Sequence, residues 1–198
     1  EGGLVEKKLQ CIGVPKERSA GWKILVAVVE FQNYGKITVK LDQNSAPITS
    51  ANFVKLAKEG YYKGTIFHRI IEDFTIQGGG YIVKDNTLME APELAPIKGE
   101  FRSNGVENNI VHELGVISMG RTNIKDSATS QFFICSANTP WLDGEYAAFG
   151  KTTDEESNKV VVEISKMPKG MLSPAFQDFP YELIWIEEVL ISDEKFNN

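Results

Sequence analysis

A chain of 198 residues with 21 Lys and Arg against 27 Asp and Glu carries a formal charge of −6, which argues against a surface built to neutralise nucleic-acid phosphates. Hydrophobic residues at 42% and charged residues at 24% are ordinary globular usage, so disorder and fibrous repeats are disfavoured and one soluble domain is expected. The longest apolar run, Ile24 to Val29, falls far short of the roughly 20 residues that a membrane-spanning helix needs.

In chain order, residues 1–21 mix charge, glycine and one proline without period and read as an extension outside the core. The chain begins at Glu1 and not at methionine, so a secreted or surface-tethered form stays open beside the cytoplasmic location expected. The domain is expected over 22–192, with a tail at 193–198. Lys23 to Phe31, a turn at Asn33-Tyr34-Gly35, and Ile37 to Leu41 predict a β-hairpin. Pro47 opens a helix with Ile48, Ala51, Phe53 or Val54, Leu56 and Ala57 at helical spacing and Gly60 as its stop. Short strands are expected at Ile66-Phe67, Phe74 to Gln77, Gly115 to Met119 and Gln131 to Cys135, with a long proline-punctuated connection from Tyr81 to Asn109. Thr153 to Glu156 has a capping-box pattern ahead of a second helix at Val160 to Ile164, and a last strand runs from Glu182 to Ile191. Many short strands with only two isolated helices predict a mainly β fold, a closed antiparallel barrel, because closure removes exposed edges.

The usual catalytic apparatus is missing from the sequence. Two histidines, His68 and His112, lack zinc-ligand spacing, and the two cysteines, Cys11 and Cys135, show neither a metal pattern nor a disulfide framework. Cys135, inside QFFIC, reads as a small core hydrophobe. No GxSxG elbow or P-loop is present, and Gly78-Gly79-Gly80 lacks the strand-to-helix context of a phosphate cradle. No metal and no cofactor are expected. What stands out is arginine and glutamine among aromatics in FHRIIEDFTIQGGG, with a second such cluster at SQFFIC. By residue type alone, Arg69 is as readily a surface ion-pair partner, and Phe74 and Phe133 are as readily core fillers.

Taken in order, Phe67-His68-Arg69-Ile70-Ile71, Asp73-Phe74, Gln77-Gly78-Gly79, Ser118-Met119, Ser130 to Ile134, Trp141-Leu142-Asp143-Gly144 and Phe149-Gly150 resemble the cyclophilin family of peptidyl-prolyl isomerases across roughly Trp22 to Ile191. SMGRT and DSATSQFF are similar to its bacterial branch, and the resemblance implies a closed eight-stranded antiparallel barrel capped by two α-helices. The resemblance implies Arg69 as the catalytic arginine, and Phe74, Phe133 and Leu142 as walls of a proline pocket. It further implies Gln77 and Gln131 as polar groove residues and Trp141 as the rim tryptophan associated with cyclosporin. Three departures from the pattern stand out. Thr75 stands where many members have methionine, Gly120-Arg121-Thr122 replaces the Ala-Asn-Ala of vertebrate relatives, and Tyr146 stands where those relatives carry a pocket histidine. The implied partners are proline-containing polypeptides and cyclosporin-type inhibitors, with the chain a monomer. His68 is expected to be a structural neighbour of the groove, and His112 to be structural or solvated. Two other readings stand beside the enzyme: a proline-peptide binding or chaperone module that holds without turnover, and a lipocalin-like carrier barrel with an interior cavity.

Overall fold

The computed structural model describes residues 23–195, so the expected extension at 1–21, Trp22, Cys11 and the last three residues of the expected tail lie outside the described residues. The first hairpin forms as the alternation requires: β1 (Lys23–Phe31) pairs antiparallel with β2 (Gly35–Leu41), Phe31 opposite Gly35. Helix α1 (Pro47–Lys58) follows, then β3 (Thr65–Ile70), β4 (Thr75–Lys84), β5 (Thr87–Glu90), β6 (Val116–Met119), β7 (Phe132–Cys135), β8 (Ala148–Thr152), α2 (Glu155–Ser165), a two-stranded pair β9 (Lys169–Gly170) with β10 (Phe179–Pro180), and β11 (Ile186–Lys195).

The main sheet runs β11-β1-β2-β8-β6-β7-β4-β3, with β5 added as a hairpin on β4. Its eight-strand path matches the expected number, but the closed barrel needs correction: the sheet curls and its ladder is open between β3 and β11. The two ends meet at one isolated bridge, Ile66 opposite Trp185, with Phe67 N donating to Ile184 O at 3.0 Å and Gly64 N to Ile186 O at 2.9 Å. The last strand starts later than expected, at Ile186, and β3's neighbour here is an irregular segment that cannot sustain a ladder.

Aromatic rings fill the concave face. Phe53 of α1 lies 5.2 Å from Tyr62, 5.4 Å from Phe132 and 5.3 Å from Phe149, and Phe67 lies 5.3 Å from Phe31. All of these are buried. Each full burial contributes about 2 kcal/mol, and the filled interior disfavours a carrier barrel. Two expectations for α1 change. Ile48 faces solvent, while Thr49 and Ser50 are buried. The reason is polar: Ala46 offers no capping side chain, so buried Glu100 caps the helix from outside, accepting from Thr49 N at 2.6 Å and Thr49 Oγ1 at 2.8 Å. Burial raises the Glu100 carboxyl above the usual range, against the lowering effect of the bonds from Thr49. In α2 the cap is Asp154, one residue later than the expected Thr153, with Oδ1 accepting from Ser157 N at 2.7 Å. No helix among the described residues is long and apolar enough to cross a membrane.

Candidate active site

Strand alternation divides β7 between two apolar clusters. Phe132 and Ile134 enter the aromatic core, while Phe133 and Cys135 join a second cluster with Val116, Leu142 and Ala148 on the outer face, against which Phe74 and Tyr146 pack. Every residue of FFIC is therefore buried, and the outer cluster floors a groove. Register places the polar groups beside it: Arg69 on β3 is opposite Gln77 on β4, Gln77 is opposite Phe133 on β7, and Phe133 is opposite Ser118 on β6. Positions 64 apart in sequence thus share one row.

The pocket on this face has a volume of about 250 Å³ and is lined by Arg69, Phe74, Thr75, Gln77, Gly120, Arg121, Phe133, Leu142 and Tyr146. Nine of the twelve residues singled out from sequence therefore meet here. Trp141 stands at the rim, 63% exposed, its ring stacked on Phe74 at 6.0 Å and 18°. Gln131 sits beside the pocket, its Oε1 accepting from Gln77 Nε2 at 2.9 Å. Thr122 is the outlier: its Oγ1 donates to Ser127 Oγ at 2.9 Å, within an exposed loop. A larger depression of about 680 Å³ lies elsewhere, among Lys40, Asp42, Glu113 and Lys151, with a 2.7 Å Lys151–Glu113 ion pair and no aromatic wall.

Each wall is fixed locally. Phe74 follows a turn in which Asp73 adopts φ 57°, and Ser136 clamps it: Phe74 N donates to Ser136 Oγ at 3.1 Å and Ser136 N donates to Phe74 O at 2.9 Å. Leu142 closes a 3-10 turn over Pro140–Leu142. The glycine run has a packing role. A Cβ on Gly80 would collide with the Gln131 side chain, so glycine there leaves space for the glutamine pair.

Arg69 is exposed, its guanidinium carbon 5.8 Å from the centre of the Phe74 ring, with no hydrogen bond or ion pair among the described residues. Among the described residues nothing occupies its donors. Arg121 is committed instead: it is sandwiched between Phe101 at 4.8 Å and Tyr146 at 4.7 Å. Its Nε and Nη2 donate to Glu145 O at 3.1 and 2.7 Å, and Nη1 donates to Thr122 O at 2.9 Å. It pins the Tyr146 wall, whose ring meets Phe133 edge-on at 5.6 Å.

Behind Phe133 lies a group that the sequence did not reveal. His112 Nδ1 is 3.0 Å from Asp143 Oδ1, its Nε2 is 2.9 Å from Ser118 Oγ, and its ring lies stacked 5.9 Å from Phe133. The order Ser-His-Asp is that of acyl-transfer sites. Here Ser118 is fully buried and His112 is 2% exposed, so no substrate carbonyl reaches the hydroxyl. Burial pushes His112 below its ordinary value, and Asp143 opposes this through a bond and its charge. The trio acts as a brace for the Phe133 ring. Burial likewise raises the Cys135 thiol to about 11, leaving it an inert core group.

A small pocket with aromatic walls, a polar side and the Arg69 guanidinium at its lip, unpaired among the described residues, forms a ligand-sized site on a β-sheet scaffold. The family model for cyclophilin type peptidyl-prolyl cis-trans isomerase/CLD matches residues 26–189. A peptidyl-prolyl cis-trans isomerase of Acinetobacter baylyi is 43% identical over 141 residues, covering 69% of this chain and 70% of its own length. Peptidyl-prolyl cis-trans isomerase B of Escherichia coli is 36% identical over 169 residues, covering 81% and 96%. A Cryptosporidium parvum cyclophilin crystallised in the presence of the dipeptide Ala-Pro has a TM-score of 0.65 and 27% identity, covering 85% of this chain and 99% of that one. The chain belongs to the cyclophilin-type peptidyl-prolyl cis-trans isomerase family.

Proposed function

We propose that the chain is a peptidyl-prolyl cis-trans isomerase that grips a prolyl ring among Phe74, Phe133 and Leu142 while Arg69 stabilises the twisted amide. The curated names of its relatives support the activity. Peptide-bond rotation faces a barrier of ~18–20 kcal/mol because the C–N bond has partial double-bond character, and Xaa-Pro bonds exchange over tens to hundreds of seconds. As the amide twists, the imide nitrogen regains its lone pair, so a fixed donor aimed at it binds the transition state more tightly than either planar form. A guanidinium suits this role: it stays charged and presents donors in a rigid plane. No nucleophile or general base is needed, in keeping with the sealed Ser118 and the inert Cys135.

The observation that carries the proposal is Arg69, exposed and unpaired among the described residues, at the lip of a ring-sized pocket whose other walls are braced. Gln77, tied to Gln131, offers a second donor for the substrate carbonyl. The exposed Trp141 supports cyclosporin binding at the rim. The test is exchange NMR on an Ala-Pro peptide with folded protein: catalysed exchange at sub-stoichiometric protein is expected. Binding without acceleration would instead favour a module that only holds proline peptides.

A further inference from the structure

A second cavity, of about 340 Å³, shares Arg69 with the proline pocket and is otherwise lined by residues absent from it, among them His68, Tyr81, Phe176, Gln177 and Asp178. His68 is only 7% exposed, with the Tyr81 and Phe176 rings packed edge-on at 4.6 and 6.0 Å. Neither of its ring nitrogens has a hydrogen-bond partner among the described residues, and Nδ1 is fully buried without one. An orphaned polar ring in a native interior is unusual and needs an account, since such groups are nearly always satisfied by protein, water or ligand. Burial and the neighbouring Arg69 push the His68 pKa down to about 4, so at neutral pH the ring offers one donor and one acceptor. The rest of the lining includes Arg69, Gln177 and Asp178 with the aromatic rings of Tyr81 and Phe176. A cationic guest is repelled by the exposed Arg69 guanidinium, and a carboxylate would be desolvated against a neutral ring. A neutral carboxamide carries both a donor and an acceptor, so it can pair with the less buried Nε2 in either tautomer of the ring.

We propose that this cavity is a subsite of the groove that takes the side-chain carboxamide of a glutamine or asparagine flanking the substrate proline, held by the His68 ring. The inference rests on the isomerase reading for its substrate. The shared Arg69 wall makes the two cavities adjacent, so an extended chain, advancing about 3.3 Å per residue, enters the second within one or two residues of the ring.

The test compares Ala-Pro peptides carrying glutamine, or methionine of similar length, at each of the four positions within two residues of proline. At one of these positions glutamine is expected to lower KM about 5- to 10-fold with little change in kcat, the size of effect a single neutral hydrogen bond gives. His68→Phe should bring the glutamine-to-methionine ratio to about one. No preference at any position, or a preference that survives His68→Phe, overturns the proposal. Titration of proline-free N-acetylglutamine methylamide into isotope-labelled protein separates this from the isomerase reading. Shifts at the His68 ring and Phe176 support the subsite even in a protein that turns over no peptide, and their absence at saturating probe overturns it.

Discussion

Lowering the pH should destabilise this protein through one ring. In the folded chain His68 has its pKa lowered from 6.5 to about 4 by burial first and Arg69 second. Between those values the unfolded chain holds a proton that the folded chain refuses. Stability therefore rises with pH across this window and is lost as pH falls from about 6.5 toward 4. The full linkage amounts to about 3 kcal/mol, and some 2 kcal/mol of it falls between pH 7 and pH 5. His68→Phe removes the titration while keeping a planar ring between Tyr81 and Phe176, and it strands no partner because neither ring nitrogen has one among the described residues. Urea unfolding followed by tryptophan fluorescence at pH 7 and pH 5 reads the difference. The wild-type midpoint should drop by about 1 M more than that of the variant, for a denaturant slope of ~2 kcal/mol per molar. His112, also lowered by burial, contributes in the same direction to both proteins and cancels in the comparison. Parallel drops in wild type and variant would refute the reasoning.

Gly79 adopts φ +85°, and a Cβ there would lie 2.9 Å from Tyr62 Cε1 and 3.0 Å from Phe132 Cε1, so Gly79→Ala should cost at least about 2 kcal/mol in thermal or urea unfolding. Asp154→Ala removes the α2 cap and should cost about 1 kcal/mol, with activity on Xaa-Pro peptides unchanged. Cyclosporin should inhibit at micromolar concentration, and Trp141→Ala should weaken that inhibition at least about tenfold, as expected for loss of an exposed aromatic anchor. If the wild type is not inhibited, replacing Tyr146 by His, or Arg121 by Asn, is expected to restore inhibition.

Local periodicity made the first hairpin and both helices legible, because alternation and 3.6-residue spacing need no knowledge of partners. The hairpin of β4 and β5 went unseen although its signal was present: Asp85-Asn86 take φ 50° and 58°, the two-residue turn such residues favour, inside a stretch that proline made look like loop. Strand β8, AFGKT, has too few apolar residues to announce itself. Ile48 misled because helical spacing cannot foresee that Glu100, 51 residues from Thr49, draws the polar side of α1 inward. At the site, residue identity was carried by ordered motifs, but the brace was not. His112, Ser118 and Asp143 are joined only through the register of β6 and β7 and the turn after β7, and the clamping of Arg121 between Phe101 and Tyr146 is equally non-local.

The central claim is that one guanidinium lowers the rotational barrier without building the fold. Exchange NMR of an Ala-Pro peptide with wild type, Arg69→Lys and Arg69→Ala, alongside unfolding curves and peptide affinity for each, tests it most directly. The expected result is a fall in kcat of about 100-fold or more for Arg69→Ala, about 2.7 kcal/mol of transition-state stabilisation. A smaller loss is expected for Arg69→Lys, with stability and peptide binding close to wild type. A kcat for Arg69→Ala within a few-fold of wild type would contradict the account.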